Sequence, residues 1–443
     1  MNTAIFKSYD IRGIYPEELD EDAAYAIGRA YVEEFGLTCV AVGRDLRASS
    51  DTLFAALARG ITEAGAHVVD LGAVSTPMVY YTSRVLDVDG AVALTASHNP
   101  AEYNGFKLNL KNAVPVGAGS GMEEIRKRAT GTLGPAADKP GTVSEHDISG
   151  AYITEVASFA KLDDSSFTCA VDFGNAMGAL ELPLYEHLSD NIALHTLYDD
   201  IDLSFPNHEA NPMKHDTLRD LQKRVLDTRA DIGVAYDGDA DRAGFVDETG
   251  TIVRADTITS ILAADILEQT PGATILYDLR SSKAVAENIQ AAGGRPIECR
   301  VGHAHIKRQM AQEDASFAGE LTGHFYFKTM SYAESASLAV VHILNVMART
   351  DKKLSEIVAE VERYHHSGEI NTTVDDPASL IASLKERYGD GETSELDGLK
   401  VIYPEWWFSV RASNTEPVVR LNLEATSHEL MQEKRDELVA LIQ

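Results

Sequence analysis

Residues 39–72 read CVAVGRDLRASSDTLFAALARGITEAGAHVVDLG. The run CVAVGRD (39–45) is apolar enough for a buried strand. SSDTLFAALARGITEAG (49–65) carries apolar residues at helical spacing, with Ser49 or Ser50 as its cap. HVVDLG (67–72) reads as a strand again. Strand, helix and strand in succession is the rhythm of parallel α/β layers. Working outward, GAVALTAS (90–97) is a further strand that stops at the turn signal SHNP. The pattern restarts at FTCAVDFG (167–174), followed by a helix and a strand near 192–198. DIGVAYDGDAD (231–241) is a strand running into a loop, and GFVDETGTIV (244–253) reads as a hairpin. ATILYDL (273–279) and RPIECRV (295–301) are the next strands.

The fold class this predicts is α/β: three similar mixed α/β domains followed by a smaller α+β C-terminal domain. GTLGPAADKPGT (131–142), rich in Gly and Pro, marks the first boundary. After a helix near Lys353 to Arg363 the character changes, with strands near 367–374, 398–403, 407–412 and 417–425 and two helices. The expected division is 1–143, 144–244, 245–364 and 365–443. No sequence repeat is visible, although the first three blocks share length and rhythm.

The chain of 443 residues is 44% hydrophobic and 24% charged, a composition that folds and buries a core. Its 39 Lys and Arg face 69 Asp and Glu, for a formal charge of −30. That balance argues against nucleic-acid binding, which needs basic surface. The acid excess fits either a salty environment or ordinary solubility. An anionic ligand would then need local Arg and Lys clusters. Cys39, Cys169 and Cys299 are scattered, without metal spacing, and read as buried thiols of a reducing cytosol. No window reaches 18 consecutive apolar residues, and the N-terminus lacks a signal-like pattern, so a cytoplasmic protein without membrane partners is expected.

Four short segments carry chemistry. Thr95-Ala96-Ser97-His98-Asn99-Pro100 places a Ser-His pair at the carboxyl end of a strand, where open α/β sheets bind ligands. Ser97 is either a covalent nucleophile activated by a base or a metal, or the capping serine of a polar turn. In Asp237-Gly238-Asp239-Ala240-Asp241-Arg242, alternate carboxylates of an extended loop point one way and can converge on a hard cation. Magnesium with phosphate as a further ligand fits better than calcium; the other reading is an acidic surface turn, whose charges would repel one another. Gly319-Glu320-Leu321-Thr322-Gly323-His324 offers donors and acceptors for sugar hydroxyls, or a structural turn. Arg411-Ala412-Ser413-Asn414-Thr415-Glu416-Pro417, with Arg420, makes a phosphate cradle or a capped polar loop.

Taken with FKSYDIRG (6–13) and NGFK (104–107), these segments resemble, in order and over nearly the whole chain, the α-D-phosphohexomutase superfamily. Within it the chain is similar to the bacterial phosphomannomutase/phosphoglucomutase group. The resemblance implies four domains around a central cleft. It implies a phosphorylated Ser97, and magnesium held by Asp237, Asp239, Asp241 and the phosphoserine. Arg12, Lys107 and His324 match residues around the reacting groups, with Lys107 an acid/base if desolvated beside cations, and His98 helps orient the site. Glu320 and Thr322 match the pair on the sugar 3- and 4-hydroxyls. Arg411, Ser413, Asn414, Thr415 and Arg420 match the site of the non-reacting phosphate. Arg242 supplies charge neutralisation, His303 matches a substrate-facing histidine, and Arg280 stands where relatives usually carry Lys.

The implied reaction is interconversion of mannose 1-phosphate and mannose 6-phosphate through a hexose 1,6-bisphosphate, which is also the activator, with glucose phosphates as further substrates. Phosphoglucomutase as the main activity and a magnesium-dependent sugar phosphohydrolase are the alternatives. A monomer or homodimer is expected. Departures are Thr322 for Ser, and Val301 and Ala304 around Gly302-His303, where the family pattern is Thr-Gly-His-Ser. The latter removes two hydroxyls from that loop.

Overall fold

The computed structural model describes residues 1–188, 190–412 and 418–442, and four β-sheets organise them. The first sheet runs Ile11–Ile14, Tyr103–Leu110, Gly90–Leu94, Cys39–Arg44, His67–Ala73 and Val143–Glu145, with Val114–Pro115 beside Tyr103–Leu110. Helices Ser50–Glu63 and Thr76–Val85 connect its parallel strands. The second sheet runs Ile252–Val253, Ala243–Asp247, Ile232–Tyr236, Phe167–Asp172, Ile192–Leu197. The third runs Arg295–Cys299, Thr274–Asp278, Phe317–Gly319, Phe325–Phe327, Ala333–Glu334. The fourth is antiparallel, centred on Leu399–Ile402, Trp406–Ala412 and Val418–Ala425.

The first three sheets share a plan. In each, a buried parallel strand turns straight back into an antiparallel partner: Gly90–Leu94 into Tyr103–Leu110, Ile232–Tyr236 into Ala243–Asp247, and Phe317–Gly319 into Phe325–Phe327. The three turns so formed are residues 95–102, 237–242 and 320–324. The repeat is one of topology, which tolerates complete change of side chains.

Sheet membership moves two of the expected divisions. Val143–Glu145 pairs in parallel with His67–Ala73, so it belongs to the first sheet. A division at 244 would cut Ala243–Asp247. The hairpin forms, with Gly250 at φ 82°, but it pairs with Ile232–Tyr236 and completes the second sheet rather than opening the third. The physical reason is hydrogen bonding: the edge of a buried strand needs partners for its amides and carbonyls. The helix cap also differs. Ser49 occupies the N-cap position without capping; its hydroxyl accepts from Asn104 Nδ2 at 2.8 Å, while Ser50 donates to Asp45 at 2.5 Å.

One hydrophobic cluster runs through Met78, Tyr152, Phe173, Tyr236, Ile258 and Leu338, so the first three domains share a core. The fourth has its own, around Leu399, Phe408, Val410, Leu421 and Leu438. Polar contacts join it to the third, including Lys400 Nζ to the Leu279 carbonyl at 2.9 Å and the Lys283 amide to Glu424 Oε1 at 3.0 Å. No helix among the described residues is long and apolar enough to cross a membrane. A separate core opens separately. In native-state hydrogen exchange, amides of Leu399–Ile402 and Trp406–Ala412 should exchange at lower denaturant than those of Gly90–Leu94; a single shared opening would contradict the separate core.

Candidate active site

The strand Gly90–Leu94 delivers Ser97 to the cleft in a left-handed conformation, φ 53°. For a residue with a β-carbon that costs on the order of 1–3 kcal/mol and needs support from its surroundings. The Ser97 amide donates to Thr95 Oγ1 at 2.9 Å. Arg47 does more: Nη2 donates to the carbonyls of Ser97 (2.8 Å) and Asn99 (2.7 Å), and Nη1 to those of Pro100 (2.6 Å) and Tyr103 (3.1 Å). Asp45 Oδ2 holds Arg47 Nε at 3.1 Å, and both side chains are buried. Arg12 reaches the same loop, Nη1 to Asn99 Oδ1 at 2.9 Å, with Nη2 on Asp10 at 2.6 Å.

Facing Ser97 is the turn after Ile232–Tyr236. Asp237, Asp239 and Asp241 are all buried, with oxygens within 4.8 Å of one another. Their convergence differs from the expected extended loop. Ala240 is left-handed, φ 62°, and its amide closes a turn onto the Asp237 carbonyl at 3.1 Å. Asp237 Oδ1 accepts the amides of Asp241 (3.1 Å) and Arg242 (3.2 Å), and Asp237 Oδ2 accepts the Ser97 hydroxyl at 2.9 Å. Gly238 permits this approach: a Cβ there would lie 2.1 Å from the Ser97 carbonyl oxygen.

Lys107 Nζ lies 2.6 Å from both Asp239 Oδ2 and Asp241 Oδ2. The expectation set this lysine beside cations; it stands instead between two carboxylates. Burial opposes its charge, but Asp239 and Asp241 raise its pKa above the ordinary value. Burial, then Asp241 and Asp239, push Asp237 up. Among the described residues, Asp239 Oδ1 and Asp241 Oδ1 are buried without a hydrogen-bond partner. Orphaned carboxylate oxygens are the donor set a hard divalent cation takes, so the residues fit such an ion.

The third turn closes on the second. Arg242 and His324 form a backbone bridge, and the Ala243 amide donates to the Gly323 carbonyl at 3.1 Å. His324 Nε2 is 3.3 Å from Asp241 Oδ1, and its Nδ1 is 3.3 Å from Glu320 Oε2 and 2.9 Å from Thr322 Oγ1. Burial works against the imidazolium, yet Asp241 and Glu320 lift its pKa to about 9. Arg242 Nη2 lies 3.3 Å from Ser97 Oγ and 2.7 Å from His98 Nδ1. The Arg242 charge, with burial, pulls His98 far down, leaving its Nδ1 an acceptor. Glu320 is held by the Tyr326 hydroxyl at 2.9 Å, the Gly302 amide at 3.1 Å and Arg280 Nη2 at 3.6 Å. Arg280 also pairs with Asp278 at 2.7 Å. The His303 loop is thus tied by backbone atoms, including the Val301 carbonyl that accepts Tyr9 Oη at 3.2 Å, so the hydroxyls absent at 301 and 304 are not its anchors.

On the fourth sheet Arg411 and Arg420 are directly opposite. Like charges so placed repel. Burial and Arg280 pull the Arg411 pKa down, and among the described residues the Nε atoms of Arg411 and Arg420 have no hydrogen-bond partner. Glu369 lies 3.7 Å from Arg420 and 3.8 Å from Arg280. Ser413, Asn414 and Thr415 lie outside the described residues. A cavity of about 500 Å³ opens beside Arg280, Leu321, Thr322 and Glu369.

Family profiles for phosphoglucomutase/phosphomannomutase match along the chain: alpha/beta/alpha domain I at residues 3–132, domain II at 150–250, domain III at 254–364 and the C-terminal domain at 369–441. The chain belongs to the phosphoglucomutase/phosphomannomutase family. It is 40% identical to a phosphomannomutase of Methanocaldococcus jannaschii over 441 residues, covering 99% of this chain and 97% of that protein. It is 35% identical to a phosphomannomutase/phosphoglucomutase of Pseudomonas aeruginosa over 435 residues, covering 96% and 92%. A solved phosphoglucomutase/phosphomannomutase family protein from Burkholderia thailandensis superimposes with a TM-score of 0.91 at 33% identity, covering 100% of this chain and 97% of that one.

In this phosphohexomutase, sequence reasoning passed over Arg47, Asp45, Tyr9 and Tyr326. A signal existed for the first two: Asp45 and Arg47 follow the strand Cys39–Arg44 at the same sheet end as the Ser97 turn. Two predictions follow from the geometry. Arg47→Met leaves the buried Asp45 without its cation and takes a donor from four carbonyls, so urea unfolding should report a loss of about 3–5 kcal/mol; a loss below ~1 kcal/mol would deny the clamp. Gly238→Ala forces the Ser97 and aspartate turns apart, so turnover should fall at least ~10-fold with unchanged far-UV circular dichroism; near-parental turnover would show that the close approach is dispensable.

Proposed function

We propose that this chain is a phosphomannomutase that interconverts mannose 1-phosphate and mannose 6-phosphate through phosphorylated Ser97, acting on glucose phosphates as well. The carrying observation is a 1%-exposed Ser97 whose hydroxyl meets the acidic turn at 2.9 Å. Relatives named phosphomannomutase support mannose as the main sugar.

Asp237, Asp239, Asp241 and phosphorylated Ser97 would hold Mg2+, which when bound withdraws charge from the transferring phosphoryl group. The chain's own residues do the rest. A sugar hydroxyl attacks phosphorus, the Ser97 Oγ–P bond breaks, and a hexose 1,6-bisphosphate forms. Arg242, 3.3 Å from Ser97 Oγ, offsets charge on the departing oxygen, and Arg12 steadies the loop. Lys107 and His324 both hold protons; the group that donates to Ser97 Oγ recovers its proton from the attacking hydroxyl. His98 accepts from Arg242 and keeps that guanidinium on the nucleophile. After the bisphosphate turns round, Ser97 Oγ gives up its proton and attacks the other phosphorus, the sugar O–P bond there breaks, and the acid/base group returns a proton to the released sugar oxygen.

Glu320 and Thr322 take the sugar 3- and 4-hydroxyls, which mannose and glucose present alike. Arg280 and His303 line the sugar path. Arg411 and Arg420, with Ser413, Asn414 and Thr415, take the phosphate that is not reacting. The directly opposed arginines support an anion there. Because the C-terminal domain has its own core, it can open for the turn of the bisphosphate and close again. The hexose 1,6-bisphosphate serves as activator by restoring phosphoserine, and the enzyme works in the cytoplasm.

Ser97→Ala should lower mannose 1-phosphate isomerisation at least ~10³-fold, as loss of a nucleophile does. Chelation of divalent ions should also abolish turnover of the parent. Parental rates in either case would overturn the reading. A side-by-side kcat/KM for mannose, glucose and glucosamine 1-phosphates decides the sugar, and preference for glucosamine would contradict it.

A further inference from the structure

Glu181 takes no part in the site described above, yet it is 0% exposed. It ends the short 3-10 turn Met177–Glu181 of the second domain. Its Oε1 accepts the Ser75 hydroxyl at 2.6 Å and its Oε2 accepts the Ser337 hydroxyl at 2.8 Å. Ser75 begins the helix Thr76–Val85 of the first domain, and Ser337 lies in the first turn of Ala336–Thr350 of the third. One carboxylate therefore ties three domains at a point. Among the described residues no cationic side chain pairs with it. The titratable groups packed around it are the buried phenols of Tyr152, Tyr185 and Tyr236. Tyr236 Oη meets Ser337 Oγ at 3.0 Å, Tyr185 Oη meets Tyr236 Oη at 2.9 Å, and Tyr152 Oη meets Ser335 Oγ at 2.9 Å.

Ser75 occupies the N-cap position of its helix but makes no capping hydrogen bond, because its hydroxyl is committed to Glu181. The start of the helix is satisfied by the acidic turn instead. The Thr76 amide donates to the Asp239 carbonyl at 3.0 Å, and Thr76 Oγ1 donates to Asp239 Oδ2 at 2.6 Å. Two adjacent residues, Ser75 and Thr76, thus connect Glu181 to Asp239.

We propose that Glu181 is a positioning residue for the cation-binding turn: as a carboxylate it anchors the start of the helix Thr76–Val85 and so sets Asp239. The proposal rests on the reading of residues 237–241 as a Mg2+ site. A carboxylate accepts from both hydroxyls at once; a protonated acid has to turn one of its oxygens into a donor, and one serine then loses its acceptor. Burial pushes the Glu181 carboxyl up to about 7, with the two serine hydroxyls opposing, so this exchange falls near neutrality. The folded-state value lies above the unfolded one. The stability this contributes is complete below the ordinary carboxyl range and is lost as pH rises through about 7. The protein gives up stability at the pH where the anchor forms.

The test uses the full-length protein, with Mg2+ as the probe, and compares parent, Glu181→Gln and Ser75→Ala. In Glu181→Gln, calorimetry should find the Mg2+ Kd raised about fivefold at pH 8, the worth of roughly one hydrogen bond. Ser75→Ala should raise it similarly, with the KM for sugar phosphate unchanged in both. Without metal, the Tm of Glu181→Gln relative to the parent should climb from pH 6 to pH 8. An unchanged Kd in Glu181→Gln overturns the proposal. So does a raised Kd with no pH-dependent difference in Tm, which would be packing alone. A parent that binds no Mg2+ sinks the reading of the acidic turn and this inference with it, whereas a parent that binds Mg2+ as tightly as the variants sinks only the inference.

Discussion

Three carboxylates, those of Asp237, Asp239 and Asp241, share one buried turn with oxygens within 4.8 Å of one another. Two like charges about 4 Å apart repel by about 4 kcal/mol at an effective dielectric near 20, and here there are three such pairs. Lys107, Arg242 and His324, from three separate segments of the chain, offset them. Even so, among the described residues one oxygen each of Asp239 and Asp241 stays buried without a hydrogen bond. The site is a concentration of charge that the rest of the chain is arranged to contain, with a donor set that suits a hard cation.

Containment is shared among the first three domains. Each contributes the turn between a buried parallel strand and its antiparallel partner, so three equivalent points on three sheets face one another. A common apolar core locks their relative positions, which matters because a misplacement of about 1 Å in aligned phosphoryl transfer costs on the order of 100-fold. The contacts that hold the turns in place are polar and buried: Arg47 on the serine loop, Thr76 on Asp239, Tyr326 on Glu320. The strain at Ser97 is held by the same means.

The fourth domain is built on the opposite principle. Its core is separate and its seam with the third is polar, through Lys400 and Glu424. A mutase has to release and recapture the two ends of one bisphosphate without losing it. Under the proposed mechanism, rigid chemistry on three domains and a movable phosphate clamp on the fourth would meet both needs.

Much of this was legible in the primary structure, because it depends on local patterns. The alternation of apolar strand and amphipathic helix between residues 39 and 97 settles the layer type. The strand-then-motif order identifies Ser97 and the acidic turn as ends of strands, whereas the strand Phe317–Gly319 that leads into the Glu320 turn shows only in the structure. Cys39–Arg44 and Val418–Ala425 lie close to where their apolar runs place them. What tertiary structure alone decided concerns groups distant in the chain. Strand pairing assigned Val143–Glu145 to the first sheet and the 243–253 hairpin to the second. A left-handed Ala240, not an extended loop, converges the aspartates. Arg47, with its fan of carbonyl acceptors, and Glu181, at the meeting of three domains, look in sequence like any surface charge. A charged residue becomes an anchor only when folding strips its water and leaves other groups of the chain as its sole partners, and which groups those are is decided by packing over long separations, not by neighbours along the chain.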